Sequence, residues 1–331
     1  MLRGAIVGFG NVAQFGHWPG YVASDEVEIV AVVDASAARR QSAASLRPSL
    51  DLFASLGEID RSAIDFVDIC TPPAQHAEPM QKAIEQGWHV LCEKPFLLDP
   101  ALLERMRALA ADRSVAVLPV HNWKYAPIIR AATAQLRAGA IGQLQRVEIA
   151  TLRRQDAASA DQTQPNWRRD PAISGGGILM DHGWHALYLA QHWFDGTPRA
   201  IRSELHRPGA GLAEDEAILE LEFAAGSARI ELSWTARQRS NRLRLAGSGG
   251  EMMLADDILR VNNEETRFEP ALSAGSHHAD WFAAMLPDVL AAFRQPELSR
   301  PSFDEAAACL EMIQHAYATA SWRSSALPII Q

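Results

Sequence analysis

The sequence predicts an α/β protein built from two differently organised halves. From Met1 to about His121, short runs that are apolar throughout alternate with helix-like stretches, the pattern of a parallel sheet covered on both faces. Beyond that point the apolar residues recur with period two, as in an antiparallel sheet with one covered face. The chain has 331 residues, more than one hydrophobic core usually organises. The expected division is therefore residues 1–121 and 122–331.

The first half reads in order. "GAIVGFG" is a strand ending in glycines, "VEIVAVVD" a second ending at Asp34, and "FVDICTPP", "HVLCEKP" and "VAVLPVHN" are three more. Between them, "AEPMQKAIEQG" is a helix that Gly87 terminates. In "DPALLERMRALAAD" Asp99 is placed as N-cap and Pro100 as the first helical residue. Leu102, Leu103, Met106, Leu109 and Ala110 then share one face.

In the second half a helix is expected from Pro127 to near Gly139. "AILELEF" puts Ala217, Leu219, Leu221 and Phe223 on one face and Glu220 and Glu222 on the other. "ARIELSWTA" aligns Ile230, Leu232 and Trp234, and the connections "AAGS", "GSGG" and "VNNEE" have hairpin chemistry. An antiparallel meander covered by helices follows. A last helix is expected after Asp304, with Ala308, Met312, His315 and Thr319 along one side. "QDAASADQTQPN" (Gln155 to Asn166) is a polar loop, either a lid or simply exposed.

Composition narrows the function. The formal charge of −9 disfavours nucleic-acid and anionic-membrane binding. No apolar stretch approaches the ~18–20 residues of a membrane span, and "MLRGAIVGFG" enters a strand without a targeting pattern. Cys70, Cys92 and Cys309 are too few and scattered for a disulfide framework or zinc finger, so free thiols in a reducing cytoplasm are expected.

The first chemistry lies in "GFGNVA" (Gly8, Phe9, Gly10, Asn11, Val12, Ala13), which follows a strand and opens a helix. Gly8 permits the tight turn, Gly10 lets a pyrophosphate approach the backbone, and Ala13 allows close helix–strand packing. Asp34, at the end of the second strand, is placed to accept hydrogen bonds from ribose hydroxyls. A dinucleotide is thus expected. Asp34 would repel a 2′-phosphate, which favours NAD, while NADP stays open because Arg39 and Arg40 follow closely. A solvated helix face is the preferred reading of those two arginines.

The second lies in "SGGGILMDHGWHALYLAQHWF" (Ser174 to Phe194). Asp181 and His185 are four apart and share a helix face, where a carboxylate can orient an imidazole for proton transfer. A surface or core pair is the structural alternative. The three glycines would let a substrate or nicotinamide approach the backbone. Asp181, His182 and His185 lack a metal-ligand pattern, and no metal is expected. His192 extends the stripe but is read as packing near the helix end.

In this order, GFGNVA, Asp34, "CTPPAQHAEPMQKAIEQGWHVLCEKP", "HNWKYAP" and "NWRRDPAISGGGILMDHGWH" resemble the glucose-fructose oxidoreductase / inositol dehydrogenase / rhizopine-catabolism (Gfo/Idh/MocA) family. The resemblance spans Met1 to about Gly250. It implies an N-terminal Rossmann domain that binds NAD(P), and a C-terminal α+β domain with a large, open, mostly antiparallel sheet. That second domain would hold substrate and assemble homodimers or homotetramers. By the same resemblance Thr71, Pro72, Pro73, His76, Glu93, Lys94 and Asn122 contact the dinucleotide. Lys94, Asn122, Trp167, Arg168, Asp181 and His185 contact substrate. The segment "NWKYAP" departs from the family's N-R-R-F-D-P-like pattern at Lys124 and Ala126, so substrate contacts there are not carried over.

The implied activity is oxidation of a secondary alcohol, or reduction of the ketone, on a sugar, cyclitol or related polyhydroxylated molecule. His185 or Lys94 serves as acid/base; His185 is preferred, with Lys94 polarising and positioning. Alternatives are an NAD-retaining redox-assisted glycosidase or lyase, and a non-catalytic NAD(P)-sensing regulator. Trp123, Tyr125 and Trp184 are either a stacking surface for a sugar or core. The charges of Glu93-Lys94-Pro95 begin where a buried strand ends, which is where parallel sheets bind ligands, and Pro95 confines the Lys94 backbone.

Overall fold

The computed structural model describes residues 1–158 and 166–329. The chain gathers into two compact units. Met1–Asn122 and His277–Ala307 make the first; residues 123–158, 166–276 and 308–329 belong to the second.

Six strands form the sheet of the first unit: β1 (Leu2–Val7), β2 (Val27–Val33), β3 (Asp51–Phe53), β4 (Phe66–Ile69), β5 (His89–Cys92) and β6 (Val117–Pro119). Every pairing is parallel, in the order β3-β2-β1-β4-β5-β6. Ile6, Val32, Val67 and Leu91 are fully buried, as strands covered on both faces require. The helices are α1 (Trp18–Val22), α2 (Ala37–Leu46), α3 (Ala77–Gln86) and α4 (Pro100–Arg113). Gly87 ends α3 at φ 81°, a left-handed conformation that suits glycine. The Asp99 side chain accepts from the Ala101 amide at the start of α4. The strand order reverses between β1 and β4, which places a ligand crevice at the carboxyl ends of those strands.

The second unit contains α5 (Pro127–Arg137), β7 (Leu144–Leu152), α6 (Pro171–Ser174), α7 (Trp184–Phe194) and strands β8 (Ala200–His206), β9 (Glu216–Glu222), β10 (Ser227–Ser233), β11 (Ser240–Gly247), β12 (Gly250–Ala255), β13 (Ile258–Val261), β14 (Glu264–Arg267) and β15 (Ser321–Arg323). They form a nine-stranded sheet, β14-β13-β12-β11-β7-β10-β9-β8-β15. The sheet is mostly antiparallel, but it is not a plain meander. β7 inserts between β10 and β11 and runs parallel to β10. Val147, Ile149, Leu219, Leu221, Ile230, Leu232, Leu243 and Leu245 make one buried face. The other carries interleaved Arg146, Glu148, Glu220, Arg229, Arg244 and Glu251.

Helix α8 (Ala279–Arg294) packs within the first unit, where Phe282 stacks on His17 at 4.0 Å and Phe293 lies 5.1 Å from Phe66. Helix α9 (Arg300–Thr319) starts before the expected Asp304. Its buried face is Phe303, Ala306, Leu310, Ile313 and Ala316. Of the expected stripe only Met312 is buried; His315 and Thr319 are exposed, because the unbroken apolar 3.6 repeat runs along a neighbouring face. Most of the Gln155–Asn166 loop lies outside the described residues. Among those described, no helix is long and apolar enough to cross a membrane.

Candidate active site

The turn after β1 is shaped by its glycines. Gly8 has φ 88°, and a Cβ there would meet the Thr71 backbone and methyl at 2.8 Å, so the ends of β1 and β4 close directly on one another. A Cβ at Gly10 would meet nothing nearer than Arg39 Nη1 at 3.8 Å, which leaves that backbone open to a ligand. Asp34 fixes the turn from the end of β2: its Oδ2 accepts from the Phe9 amide and its Oδ1 from the Ser36 amide, each at 2.8 Å. Arg39 and Arg40 are not merely a solvated helix face. Arg40 donates to the carbonyls of Asp34 and Ala35 just after β2, and Arg39 to that of Phe9 in the turn at 3.4 Å.

Thr71, Pro72 and Pro73 continue from β4, and His76 is buried beside them. The His76 ring nitrogens face the carbonyl oxygens of Phe96 at 3.1 Å and Thr71 at 2.8 Å. Burial holds its pKa below the usual histidine value, against the pull of those carbonyls.

Glu93 and Lys94 follow β5, and the Lys94–Pro95 peptide is cis. The Glu93 side chain turns inward. Its Oε1 lies 3.1 Å from His17 Nε2 and its Oε2 accepts from the Lys94 amide at 2.9 Å. His17 Nδ1 lies 2.8 Å from Asp68 Oδ2, which also accepts from the Tyr21 hydroxyl at 3.0 Å; Cys70 Sγ is 3.4 Å from the same nitrogen. An imidazole between two carboxylates can donate to both only when protonated. Burial works against that charge, but Asp68, with Cys70, outweighs it and holds the His17 pKa well above the ordinary value. For Glu93, burial pushes the pKa up, and His17 and Lys94 overcome this to bring it down. His17, Asp68, Tyr21 and Cys70 are the residues that sequence reasoning missed. The available signal was a carboxylate in the middle of the apolar run "FVDIC".

In the second unit the expected helix opens with a wide π-type turn, Leu179–Gly183, that leads into α7. Asp181 lies 3.2 Å from His182 Nδ1 and 4.0 Å from Arg168 Nε, and the Arg168 guanidinium stacks over Trp167 at 4.2 Å. His185 is buried, stacks on Trp123 at 4.8 Å, and has its Nδ1 2.9 Å from the Tyr188 hydroxyl. Trp184 is fully buried and Trp123 nearly so, which makes both of them core.

Two of the three glycines are crowded by the chain's own atoms. A Cβ at Gly177 would come within 1.9 Å of the Glu214 carbonyl, and one at Gly176 within 2.0 Å of the Tyr317 hydroxyl. At Gly176 and Gly177 the chain needs glycine because its own residues crowd the backbone. The Glu214 carboxylate accepts from the amides of Gly177 and Leu179 and from the Tyr317 hydroxyl, each at 2.9 Å. Burial pushes its pKa up to about 6 despite those donors.

Two family models match in tandem. The oxidoreductase-family NAD-binding Rossmann fold matches residues 2–121, and the GFO/IDH/MocA C-terminal domain matches residues 129–253. The chain belongs to the Gfo/Idh/MocA oxidoreductase family. Among the relatives of this Gfo/Idh/MocA protein is a D-apiose dehydrogenase of Paraburkholderia graminis, 28% identical over 273 residues, 80% of this chain and 70% of that one. A levoglucosan dehydrogenase of Pseudarthrobacter phenanthrenivorans is 27% identical over 247 residues, 67% of this chain and 61% of that one. In fold it is similar to a 3-ketoreductase from Actinomadura kijaniata solved with NADP and TDP-benzene, with TM-score 0.83 at 18% identity over 97% and 98% of the two chains. The open backbone at Gly10 and the carboxylate at Asp34 fit the NAD that this family's Rossmann domain binds.

Proposed function

We propose that this Gfo/Idh/MocA protein interconverts a secondary alcohol and a ketone on a sugar, cyclitol or related polyhydroxylated molecule. The observation that carries the reading is the placement of Lys94. It follows β5, the neighbour of β4 at the switch point of the parallel sheet, and its amide is held by the buried Glu93 carboxylate. Bound NAD supplies the two-electron acceptor or donor. Gly8, Phe9, Gly10, Asn11, Val12 and Asp34 hold the dinucleotide, with Thr71, Pro72, Pro73, His76, Glu93 and Asn122. Lys94 stabilises negative charge that develops on the substrate oxygen. His185 moves the hydroxyl proton, oriented through its Nδ1 by Tyr188. Asp181, Arg168, Trp167 and Asn122 position the substrate. The polyhydroxylated class is supported by the named sugar dehydrogenases among the relatives.

A polyol and sugar library followed by NADH and NADPH absorbance tests cofactor and substrate together. Lys94→Ala and His185→Asn should each lower kcat by about 10²–10⁴-fold, and His185→Asn should leave cofactor affinity largely intact. Full turnover in both variants would overturn the residue assignment. Release of product without net NADH would instead favour the redox-assisted glycosidase.

We also infer a cytoplasmic homodimer or homotetramer assembled through the sheet of the second unit. The Arg–Glu lattice on that sheet's uncovered face suits a self-complementary, salt-sensitive contact. Light scattering should give a multiple of the chain mass of 36.2 kDa that falls when Arg229 and Arg244 are both changed to Glu. A monomer in the unmodified protein sinks this inference.

A further inference from the structure

Among the described residues, five side chains at one end of the second unit's sheet have a polar atom that is buried and orphaned. They are Arg153 Nε, Asn241 Nδ2, Trp234 Nε1, Arg168 Nε and Ser240 Oγ. The first four are donors only, and the Ser240 hydroxyl can donate as well. The first three are brought together by strand register. Arg153 follows the end of β7, Trp234 follows β10, and Asn241 is the second residue of β11, opposite Thr151. Arg168 reaches the same region through Asp181, whose charge bears on both guanidiniums. Buried donors normally find acceptors, so a cluster of orphans of one type points to an acceptor that the protein does not supply.

Charge points the same way. Arg153 is 3% exposed, and its bonds go to the carbonyls of Leu152 and Ser240 and to Asn241 Oδ1. Among the described residues none of its hydrogen-bond partners is a carboxylate. Arg239 donates to the carbonyls of Ser273 and Gly275. Among the described residues, the carboxylates that bear on these guanidiniums are Asp181 and Asp256 for Arg153, Asp256 for Arg239 and Asp181 for Arg168, in a chain whose overall charge is −9. A buried guanidinium without an anion is costly, and a bound oxyanion removes both the charge excess and the unmet donors.

We propose that this end of the sheet is an anion subsite, and that the substrate is a polyol carrying an oxyanion, a carboxylate or a phosphate, held by Arg153, Asn241 and Arg168. This rests on the oxidoreductase reading for Asp181 as a substrate residue, but its test does not use turnover. Thermal unfolding of the NAD-loaded full-length protein is followed with D-gluconate, D-glucose 6-phosphate and inorganic phosphate. D-Glucitol and sodium chloride at matched ionic strength are the controls.

At least one sugar-borne oxyanion should raise the midpoint above both controls; which one does so separates sugar acid from sugar phosphate. Because Arg153→Ala can simply fail to fold, the decisive variant is Asn241→Asp, which gives Arg153 an internal carboxylate. It should weaken the apparent affinity about tenfold or more, as should Arg168→Gln. Stabilisation by no anion beyond the controls, or by inorganic phosphate alone, overturns the proposal. So does stabilisation that persists undiminished in Asn241→Asp. A protein that fails the NADH screen can still pass here, and the reverse, so the two readings fail separately.

Discussion

A carboxylate inside a buried strand needs a counter-charge, and Asp68 has one in His17. The same imidazolium serves Glu93, so one ring neutralises the middle of β4 and the end of β5 while Phe282 covers its face. Replacing His17 by Gln leaves two buried carboxylates without their cation. The expected cost is about 3 kcal/mol in urea denaturation at neutral pH; a loss under about 1 kcal/mol would show that the network is not coupled in this way. The pH sign follows from the shift. A histidine whose folded pKa is raised stabilises fully below its unfolded value near 6.5, and loses that contribution as pH rises through the folded pKa. Stability of the unmodified protein should therefore fall on the alkaline side of 6.5 more steeply than that of His17→Gln. Glu93 was legible in the sequence because its charge interrupts an apolar run. Asp68 raises the same flag, but its partner lies 51 residues away. No local period connects residues so far apart.

At the scale of elements, the strands and helices were legible wherever local chemistry fixes them: Asp99 and Pro100 opening α4, Gly87 closing α3, and the alternation of β9 and β10. What the sequence did not disclose is set by partners distant in the chain. β7 finds β10 some 80 residues on, and the second and third glycines of "GGG" are explained by Tyr317 and Glu214 packed against them. Glu214 ties that segment to the strand side of the unit and gives it a pH dependence. Its folded pKa of about 6 exceeds the ordinary 4.5, so the folded state holds the proton longer than the unfolded chain does. Stability then falls as pH rises between about 4.5 and 6, by up to about 2 kcal/mol from this group. In Glu214→Gln that portion of the slope should vanish. Parallel stability–pH curves for the two proteins between 4.5 and 6 would mean that Glu214 titrates normally.

For the whole molecule, the decisive feature is that chain order and unit membership differ. All six strands of the parallel sheet are complete by Pro119, yet α8, from the far end of the sequence, packs with them. Phe282 contacts His17 and Tyr21, and Phe293 contacts Phe66 and His89. Trp281 and Met285 are buried on the same helix. Four large side chains at roughly 1.5–3 kcal/mol each are comparable to the whole stability of an ordinary domain, about 5–15 kcal/mol. Residues 1–122 alone, although they span the NAD-binding match, should therefore melt without cooperativity and bind a hydrophobic dye. The same fragment joined through a flexible linker to residues 277–307 should melt cooperatively and recover NAD binding, because the linker restores α8 as the cover over His17 and Phe66. Cooperative melting of residues 1–122 within a few degrees of the full chain would show that the returning helix is dispensable. The buried imidazolium at His17 would then have to be shielded by the first 122 residues themselves.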